Sequence, residues 1–562
     1  MAAEPDSFAL FYFTAAAILF AGPIGYFFTR LYHARMLIRE RQQRNLPVAP
    51  GHSFLFGHLL YLKSVIDALP EKAHYQYAFG DIARHHFSRE GVFYMDLWPV
   101  SSLFLTVVSP QVANQTTQTN SSLGLDKPAL LPRFFKPITD GENLFTMPEK
   151  EWKPWRTTFN KGFSHDHILS LVPRMAKETS VYCSRLRTCA EKGALIHLDP
   201  ITLRFTMDLI GQTILNTSLG AQKGYNTLAD CMLSQIRWHQ PNAETNPFEY
   251  LNFARWYMHW WNSRQMNDYI GKELDKRYNE YKADAANTRS KAVIDIVLQA
   301  YMPENTKTAP ANLDPEFRAF AIRQIRLFVF AGHDSTSSTI CYTLHLLATN
   351  PEILTRIRVE HDAVFGKDLA ATQSLLESQP HLTESLPYTT AIIKETLRLF
   401  TPAGSSKAGK PRVDLTDDVG NRCPTDDATV FFVHVEMHRS PKYWIRPDDF
   451  LPERWLVDPG HELYPMKGAS RPFEHGPRNC IAQGLVMTEM RVVLAMVVRQ
   501  FDFKPAYEEW DRLHPSKGLR TYRGERAYQI EEGAAHPVDK YPCRVYERGS
   551  SSSLDITTFT PV

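Results

Sequence analysis

A stretch without any charged side chain lies near the start of the chain, from Ser7 to Thr29. As an α-helix, an apolar run of about 20 residues can cross a hydrocarbon core of ~30 Å. A cleaved signal peptide is disfavoured, because the residues before the run are acidic and the run is too long. Arginines follow it, and by the positive-inside rule they place the bulk of the chain in the cytosol. The pattern predicts a single-pass anchor over residues 1–29.

A basic segment with two prolines follows, over residues 30–52. Because proline stops helix propagation, Pro47 and Pro50 predict a hinge between the anchor and the rest of the chain. No long low-complexity linker interrupts residues 53–545, which we interpret as one large catalytic domain. The Ser-rich residues 546–562 predict a disordered tail.

The middle of the chain has a mostly helical pattern. From Phe317 to Thr349 the only glycine or proline is Gly332, and Asn350-Pro351 marks a helix end. At 1.5 Å per residue this helix would be about 50 Å long. Stretches with a β pattern are short and few, Phe93–Leu97 and Thr429–Val433. The predicted class is mainly α with small β-sheets.

Composition and charge exclude several other classes of protein. Hydrophobic residues make up 43% and charged residues 22%, as in ordinary globular proteins, which excludes bulk disorder. Lysine and arginine (63) almost balance aspartate and glutamate (61), and the net charge of +2 argues against a nucleic-acid binder. The seven cysteines are scattered without a CxxC pair, so they predict neither a disulfide framework nor a zinc ribbon, and they favour a reducing compartment.

The strongest chemical signal is the sequence from Phe473 to Ala482, FEHGPRNCIA. It joins an aromatic residue, a tight glycine turn, an arginine and Cys480, which precedes an apolar helix. A cysteine at a helix N-terminus meets unpaired N–H groups and the positive end of the helix dipole, which favour its thiolate. A thiolate is a soft, electron-donating axial ligand for iron. A buried structural cysteine is the commoner role of this residue type, and the spacing alone leaves both interpretations open.

This segment resembles the haem-binding loop of the cytochrome P-450 superfamily, FxxGxRxCxG. The matching residues are Phe473, Gly476, Arg478 and Cys480. Ala482 replaces the last glycine of the motif. Three further family signatures occur in the expected order, and the resemblance spans most of residues 46–545. It implies the cytochrome P-450 fold, haem b as the cofactor and Cys480 as the axial ligand of the haem iron.

The second signature is the pair Glu395 and Arg398, which lie three residues apart and hence on one helix face. Taken alone, the pair could be an exposed ion pair worth well under ~1 kcal/mol. The resemblance implies instead that this ExxR pair forms a buried network with Arg454, in which an orphaned charge would cost about 3–5 kcal/mol. Its implied role is to support the haem loop without taking part in the chemistry.

The third signature, from Ala331 to Thr336, interrupts the apolar pattern of the long helix with a glycine, an acid and two hydroxyls. Such local inconsistency often marks a functional site, and a Ser/Thr-rich helix kink without a catalytic task is the alternative. By its resemblance to the family's oxygen-binding groove, Ala331 and Gly332 border the haem, and Asp334 with the next alcohol relays protons to dioxygen. Threonine is usual at the alcohol position. Here Ser335 occupies it and Thr336 follows, so either hydroxyl can be the relay.

The fourth signature, Trp152 and Arg156, places an indole and a guanidinium on one helix face. The resemblance assigns both to a haem propionate, together with Arg478, and side chains that only donate hydrogen bonds suit that anion. Lys407 is a candidate for the basic residue that family members carry after the ExxR helix.

The resemblance places the walls of the substrate pocket in three regions. These are residues 118–135, the part of the long helix before Ala331, and Thr401–Lys407. A further segment, Trp238–Trp261, is dense in aromatic side chains. It is either ordinary helix core or a lid that dips into membrane lipid, where tryptophan and tyrosine are favoured.

Together these signatures imply a haem-thiolate monooxygenase that inserts one oxygen atom from O2 into a hydrophobic small molecule. No GxGxxG fingerprint for a nicotinamide or flavin is evident, so electrons would come from NADPH through a separate, flavin-containing NADPH–cytochrome reductase. The style of the motifs is most like filamentous-fungal members that tailor polyketides, terpenoids or alkaloids. The anchor then predicts the endoplasmic reticulum membrane as the location.

Two other functions stay open. A haem-thiolate isomerase or peroxygenase needs no reductase, but it has little use for a proton-delivering pair such as Asp334 and Ser335. A non-catalytic haem-binding membrane protein would have no use for that pair either.

Overall fold

The computed structural model describes residues 5–118, 121–239, 251–283, 290–302 and 310–549 of the chain, with side chains from residue 21 onward. The helices of these segments are α1 (Pro5–Gln43), α2 (Leu59–Asp67), α3 (Gln76–His86), α4 (Pro110–Gln115), α5 (Leu130–Thr139), α6 (Glu149–Asn160), α7 (His165–Lys192), α8 (Leu198–Leu215), α9 (Thr227–Trp238), α10 (Phe253–Ala283), α11 (Val293–Tyr301), α12 (Pro315–Thr349), α13 (Pro351–Phe365), α14 (Ala371–Ser378), α15 (Pro387–Leu399), α16 (His434–Met437), α17 (Gln483–Gln500) and α18 (Tyr507–Leu513). The strands are β1 (Val92–Asp96), β2 (Leu103–Val107), β3 (Ile196–His197), β4 (Ser405–Ala408), β5 (Asp414–Thr416), β6 (Arg422–Pro424), β7 (Ala428–Phe432), β8 (Phe501–Pro505), β9 (Gln529–Glu532), β10 (Ala534–Pro537) and β11 (Pro542–Glu547). The mainly helical class with small sheets agrees with the prediction.

The largest sheet has the strand order β1-β2-β7-β4, in which only β2 and β7 are parallel. Strands β1, β2 and β7 are buried on both faces, because alternate side chains enter different cores. Phe93 and Phe104 face the main helical core, whereas Tyr94 and Leu105 face a smaller core that includes Ile38 of α1. The other sheets are small, with the orders β3-β11-β8, β9-β10 and β5-β6.

Helix α1 continues without a break across the predicted boundary between anchor and hinge. Arg35 donates to Asp96 of β1 at 2.5 Å, and Arg41 donates to Asp426 at 2.8 Å. Both arginines are buried. The segment predicted as a hinge therefore begins as a helix packed on the sheet, and it leaves the helical conformation only after Gln43. The sequence did not show this packing, because the two acidic partners are distant from the arginines along the chain.

The predicted anchor falls on α1, whose residues 5–20 are described by their backbone alone. Among the helices in the described segments, none combines the length and the apolar character that spanning a bilayer requires.

Helix α12 crosses the main core and agrees with the long helix predicted from the sequence. Asp314 caps its N-terminus by accepting the Phe317 N–H at 2.8 Å. Pro315 occupies the first turn, where the missing N–H leaves no helical hydrogen bond unmade. The helix ends at Thr349, and its central turns are buried on most sides, which places its middle residues deep in the domain.

Candidate active site

The predicted haem-binding loop runs from Phe473 to Cys480, just before α17. The Cys480 N–H donates to the Phe473 carbonyl at 2.8 Å, and the Asn479 N–H donates to the Gly476 carbonyl at 3.1 Å. Gly476 has a φ of +80°, and a Cβ there would lie 2.6 Å from the Thr117 carbonyl oxygen. Only glycine therefore fits this turn.

Cys480 is exposed, whereas the other cysteines of the chain are buried or half-buried. The protein atoms around the thiol raise its pKa by desolvation, while the Ala482 N–H and the charge of Arg156 act in the opposite direction. The start of α17 thus offsets only part of the rise in pKa that desolvation causes. A metal ion bound in place of the proton would keep the sulfur as a thiolate. Ala482 has a φ of −94°, so the alanine in place of the motif's glycine introduces no backbone strain.

Three cationic side chains lie close together beside this loop. Arg478 donates to the Met147 carbonyl at 2.7 Å, while its buried Nε has no partner among the described residues. Lys127 Nζ donates to the Ser406 carbonyl at 3.3 Å, and Lys407 also donates to a backbone carbonyl. In the part of the chain that the structure describes, the hydrogen bonds of all three go to carbonyl oxygens only. We call these three residues the cation cluster.

The cation cluster has the properties of a buried anion site. Burial, with the charges of Arg478 and Lys407, lowers the pKa of Lys127 to about 7. Burial also lowers the pKa of Lys407 to about 8, although Glu474 acts against the shift. Such a cluster is stabilised when an anion brings opposite charge and hydrogen-bond acceptors. The two propionates of haem b fit this donor set. Lys127 was absent from the sequence prediction, because it belongs to no motif.

Trp152 and Arg156 occupy different places around the loop. Trp152 is buried, and its ring centre lies 4.4 Å from the guanidinium of Arg478, which it supports by a cation–π contact. Arg156 donates from both Nη atoms to Asn479, at 2.8 Å to the carbonyl and at 3.0 Å to the side-chain oxygen. These two hydrogen bonds direct its guanidinium to the residue before Cys480, and the propionate contact of Arg156 stays a prediction.

Glu395 and Arg398 form the expected buried network with Arg454. Arg398 donates to the two carboxylate oxygens of Glu395 at 2.7 and 2.9 Å, and Arg454 donates to one of them at 3.1 Å. Trp455, which the sequence analysis did not include, adds a hydrogen bond to the same carboxylate at 3.0 Å. The remaining donors of Arg398 reach backbone carbonyls between residues 438 and 449. The network thus ties α15 to the segment that leads to the haem loop.

The middle of α12 presents one hydroxyl outward and buries the other. Ser335 Oγ donates to the Ala331 carbonyl at 2.9 Å, and both residues lie on the accessible side of the helix. Thr336 is 1% exposed, and its Oγ1 has no partner among the described residues. Ser335 is thus the accessible alcohol of the two. A Cβ at Gly332 would overlap with Ile210 of α8, so this glycine permits the packing of two helices, and its place beside the haem stays a prediction.

Asp334 is buried and bound to the hairpin formed by β9 and β10. Its Oδ2 accepts the Ala534 N–H at 2.5 Å, and its Oδ1 lies 3.2 Å from Nε2 of His536. The other ring nitrogen of His536 lies 3.0 Å from the carboxylate of Asp199 on α8. Sequence reasoning missed His536 and Asp199, because neither belongs to a motif and the three residues come from distant parts of the chain.

A cysteine able to serve as a thiolate ligand, next to a cation cluster that would suit the carboxylates of a porphyrin, is the combination expected of a haem-thiolate protein. Comparison with known families agrees, since the family model described as Cytochrome P450 matches residues 82–528. The chain belongs to the cytochrome P450 family, and membership implies haem b as its prosthetic group.

Similar proteins indicate which kind of cytochrome P450 this chain is. The chain is 38% identical to cytochrome P450 monooxygenase polC of Polytolypa hystricis, over 94% of this chain and 95% of the relative. It is 32% identical to cytochrome P450 monooxygenase acrF of Aspergillus aculeatus, over 81% of this chain and 94% of the relative. The chain is therefore a cytochrome P450 monooxygenase, an oxidoreductase similar to fungal members, as predicted.

Solved structures share the fold. The haem domain of cytochrome P450DA aligns with a TM-score of 0.66 and 18% identity, over 89% of this chain and 97% of that domain. Cytochrome P450 CYP102L1 aligns with the same TM-score and 19% identity, over 86% of this chain and 96% of that protein.

Proposed function

We propose that this monooxygenase inserts one oxygen atom of O2 into a hydrophobic small molecule during the biosynthesis of a fungal secondary metabolite. The observation that carries the proposal is the exposed Cys480 thiol beside the cation cluster, since these groups suit the iron and the propionates of haem b. When bound, the haem supplies oxygen activation at a thiolate-ligated iron. Electrons come from NADPH through a separate flavin-containing reductase.

The chain's own residues hold the cofactor and deliver protons. Cys480 provides the axial thiolate, and Arg156 fixes the loop next to it through Asn479. On α12, Ser335 uses its hydroxyl proton in the hydrogen bond to the Ala331 carbonyl, so its oxygen remains free to accept a proton. Asp334, one residue earlier, is the acid of the pair. Its carboxylate oxygens bond to Ala534 and His536, so its proton would reach Ser335 through an intervening water molecule.

Aromatic side chains support a hydrophobic substrate. Phe135 of the predicted substrate region lies 6.0 Å from Phe330 of α12 and 5.0 Å from Phe145, measured between ring centres. A Cβ at Gly533, in the turn between β9 and β10, would lie 3.3 Å from Phe330 and 3.0 Å from Ile236. These apolar groups line the region next to Asp334 and would exclude water around an apolar ligand. The likeness to fungal relatives supports a secondary metabolite as the substrate.

We also propose that the protein is held at the endoplasmic reticulum membrane, with its catalytic domain in the cytosol. Aromatic side chains are exposed along the first turns of α10, among them Trp256 (60% exposed), Trp260 (53%) and Trp261 (41%). Tyr26 and Phe28 of α1 are exposed as well. Tryptophan and tyrosine favour the membrane interface, which supports a lid at α10 that contacts lipid. Residues 240–250 of the predicted lid lie outside the described residues.

The cofactor assignment is tested by the absorption spectrum of the reduced, carbon-monoxide-bound protein. We expect a red-shifted Soret band, which Cys480→Ala abolishes because the thiolate is lost. Cys189→Ala is the matched control, since Cys189 is a half-buried cysteine of α7 without a role in the site. A Cys480→Ala protein that keeps this band and full turnover would refute the proposal.

The reaction class is tested by adding a reductase and NADPH, and the substrate by disrupting the gene. NADPH-dependent oxygen insertion supports a monooxygenase, whereas turnover with peroxide alone and no response to NADPH would identify a peroxygenase. Gene disruption is expected to accumulate a metabolite that lacks one oxygen atom relative to the normal product.

A further inference from the structure

His536 is the buried group that joins Asp334 to Asp199. It belongs to none of the sequence motifs. Its exposed fraction is 2%, and those of Asp199 and Asp334 are 1% and 2%. Nδ1 lies 3.0 Å from both carboxylate oxygens of Asp199, and Nε2 lies 3.2 Å from Oδ1 of Asp334. A carboxylate only accepts hydrogen bonds, so an imidazole that bonds to one carboxylate through each nitrogen carries a proton on both.

The environment of His536 favours this charged form. Burial alone lowers the pKa of an imidazole, but the charges of Asp199 and Asp334 outweigh it and hold the pKa of His536 well above its usual value. Among the groups that face the cluster is His333 of α12, whose pKa burial lowers although the charge of Asp334 acts against the shift. Cys341 of α12 contributes a thiol 3.8 Å from Asp199. Lys540 adds a positive charge that acts on Asp199 and lowers the pKa of that carboxyl further.

The same contacts dock the β9–β10 hairpin on α12. Asp334 Oδ2 accepts the Ala534 N–H, and Ser338 Oγ donates to the Ala535 carbonyl at 2.5 Å. Gly533, with a φ of +90°, comes so close that a Cβ would lie 2.6 Å from Asp334 Oδ2. The hairpin therefore reaches Asp334 through Gly533, Ala534 and His536, and no larger residue than glycine fits at its turn.

We propose that His536, held by Asp199, is the positioning residue of the proton-delivering acid: it fixes the carboxylate of Asp334 and stores one proton a single hydrogen bond away from it. The proposal rests on the proposed function of Asp334. Transfer of the Nε2 proton to Oδ1 breaks one N–H bond and forms one O–H bond, which leaves a neutral imidazole and a neutral carboxyl group. Asp199 stays ionised. After Asp334 has given its proton to the relay, a hydronium ion from solvent restores the proton on the imidazole and leaves water.

The first test reads the protonation of His536 directly. We would label the histidines with ¹⁵N, record side-chain spectra of the carbon-monoxide-bound holoenzyme at about pH 8, and compare His536→Gln with His361→Gln. His361 is the matched control, because it is a buried imidazole of α13 that bonds to Thr389 and has its pKa lowered to about 3 by burial. We expect a doubly protonated imidazole in the native protein that is lost in His536→Gln and kept in His361→Gln. A native spectrum with only neutral imidazoles among the buried histidines, or a His536→Gln spectrum that loses no charged imidazole, would overturn the proposal.

The second test reads proton delivery. With a reductase and NADPH, we would measure the share of electrons released as hydrogen peroxide and the solvent isotope effect on NADPH oxidation. We expect both to rise several-fold in His536→Gln and to rise less in Asp199→Asn, which keeps the imidazole but removes the carboxylate that holds it. His361→Gln is expected to behave as the native protein, and a His536→Gln protein equal to it in both measurements would refute the proposal.

The two tests separate this proposal from the proposed function. A native protein without the red-shifted Soret band would refute the haem-thiolate function, whereas the histidine spectra would still report whether His536 is charged. If His536→Gln fails to fold, the native spectrum and Asp199→Asn still decide the matter.

Discussion

Arg156 binds Asn479 through both of its terminal nitrogens, and Asn479 is the residue that precedes Cys480. The guanidinium has two effects on the sulfur. It fixes the backbone of the loop, and its positive charge lowers the pKa of the Cys480 thiol against the opposing effect of desolvation.

Substitutions of Arg156 separate these two effects. Arg156→Lys keeps the charge but loses the paired geometry, so we expect the unfolding free energy to fall by about 1.5–3 kcal/mol, the value of a hydrogen bond to a charged group, with the Soret band unchanged. Arg156→Gln also loses the charge, so we expect part of the reduced, carbon-monoxide-bound protein to show the band of a protonated thiol, more so at low pH. Equal spectra for the two variants would contradict a role of the charge.

Loss of the Glu395 charge should destabilise the protein strongly. Glu395→Gln leaves the buried Arg398 and Arg454 without their shared anion, and we expect the unfolding free energy to fall by about 3–5 kcal/mol in denaturant titrations. Glu453→Gln is the control. Glu453 pairs with the exposed Arg356 at the surface, so a loss below about 1 kcal/mol is expected. Similar losses for both variants would show that the buried network contributes no more than a surface pair.

The two hydroxyls of α12 should respond differently to removal. Ser335→Ala deletes the accessible hydroxyl, so we expect more of the electrons from NADPH to appear as hydrogen peroxide. Thr336→Val replaces a buried hydroxyl without a partner by a methyl group of similar size. Because an unsatisfied buried polar group costs about 1–3 kcal/mol, we expect equal or higher stability and unchanged peroxide release. A reversed pattern would assign the relay to Thr336.

Retention of haem should weaken as the pH rises. Without haem, burial and neighbouring cations lower the pKa of Lys127 to about 7 and that of Lys407 to about 8. A propionate favours the charged lysines, so haem binding takes up protons and haem affinity falls as the pH rises above these values. We expect haem transfer to excess apomyoglobin to accelerate between about pH 7 and pH 9.

Lysine variants identify the groups responsible. Lys127→Met should bind haem less tightly and lose the lower part of this pH dependence, whereas Lys63→Met, at an exposed site of α2, should leave it unchanged. A Lys127→Met protein with the native pH dependence would exclude Lys127 from the anion site.

Membrane association should persist after removal of residues 1–29, if the aromatic turns of α10 contact lipid. We expect the shortened protein to sediment with liposomes, and we expect the exchange of Trp260 and Trp261 for serine to abolish this binding. The exposed Tyr225, replaced by serine, is a control outside α10. No sedimentation of the shortened protein before these exchanges would contradict the lid.

Features encoded in one short stretch of sequence were predictable. The loop around Cys480 and the ExxR pair each lie within about ten residues, and their residue types restrict the chemistry. The length of α12 followed from the lack of proline, and of any glycine other than Gly332, between Phe317 and Thr349. In these cases local sequence and tertiary structure agree, as expected for a folded protein.

Features that depend on contacts between distant elements were not predictable. Lys127 joins the anion site from a loop, and His536 reaches Asp334 from a hairpin near the C-terminus. The spacing of Trp152 and Arg156 showed a shared helix face, but it did not show that Asn479 would engage the guanidinium. Such pairs can be identified only in the folded structure, because a single sequence does not show which elements are in contact.

The docking of α1 sets a limit on how far the N-terminus can be shortened. Truncation at residue 29 keeps the ion pairs of Arg35 with Asp96 and of Arg41 with Asp426. Truncation at residue 45 would remove both arginines and leave Asp96, 2% exposed at its side chain, without the arginine that pairs with it, while His52 stays in contact. Since an uncompensated buried charge costs about 3–5 kcal/mol, a stable shortened enzyme has to begin before Arg35, close to the end of the segment that the sequence predicts as a membrane anchor.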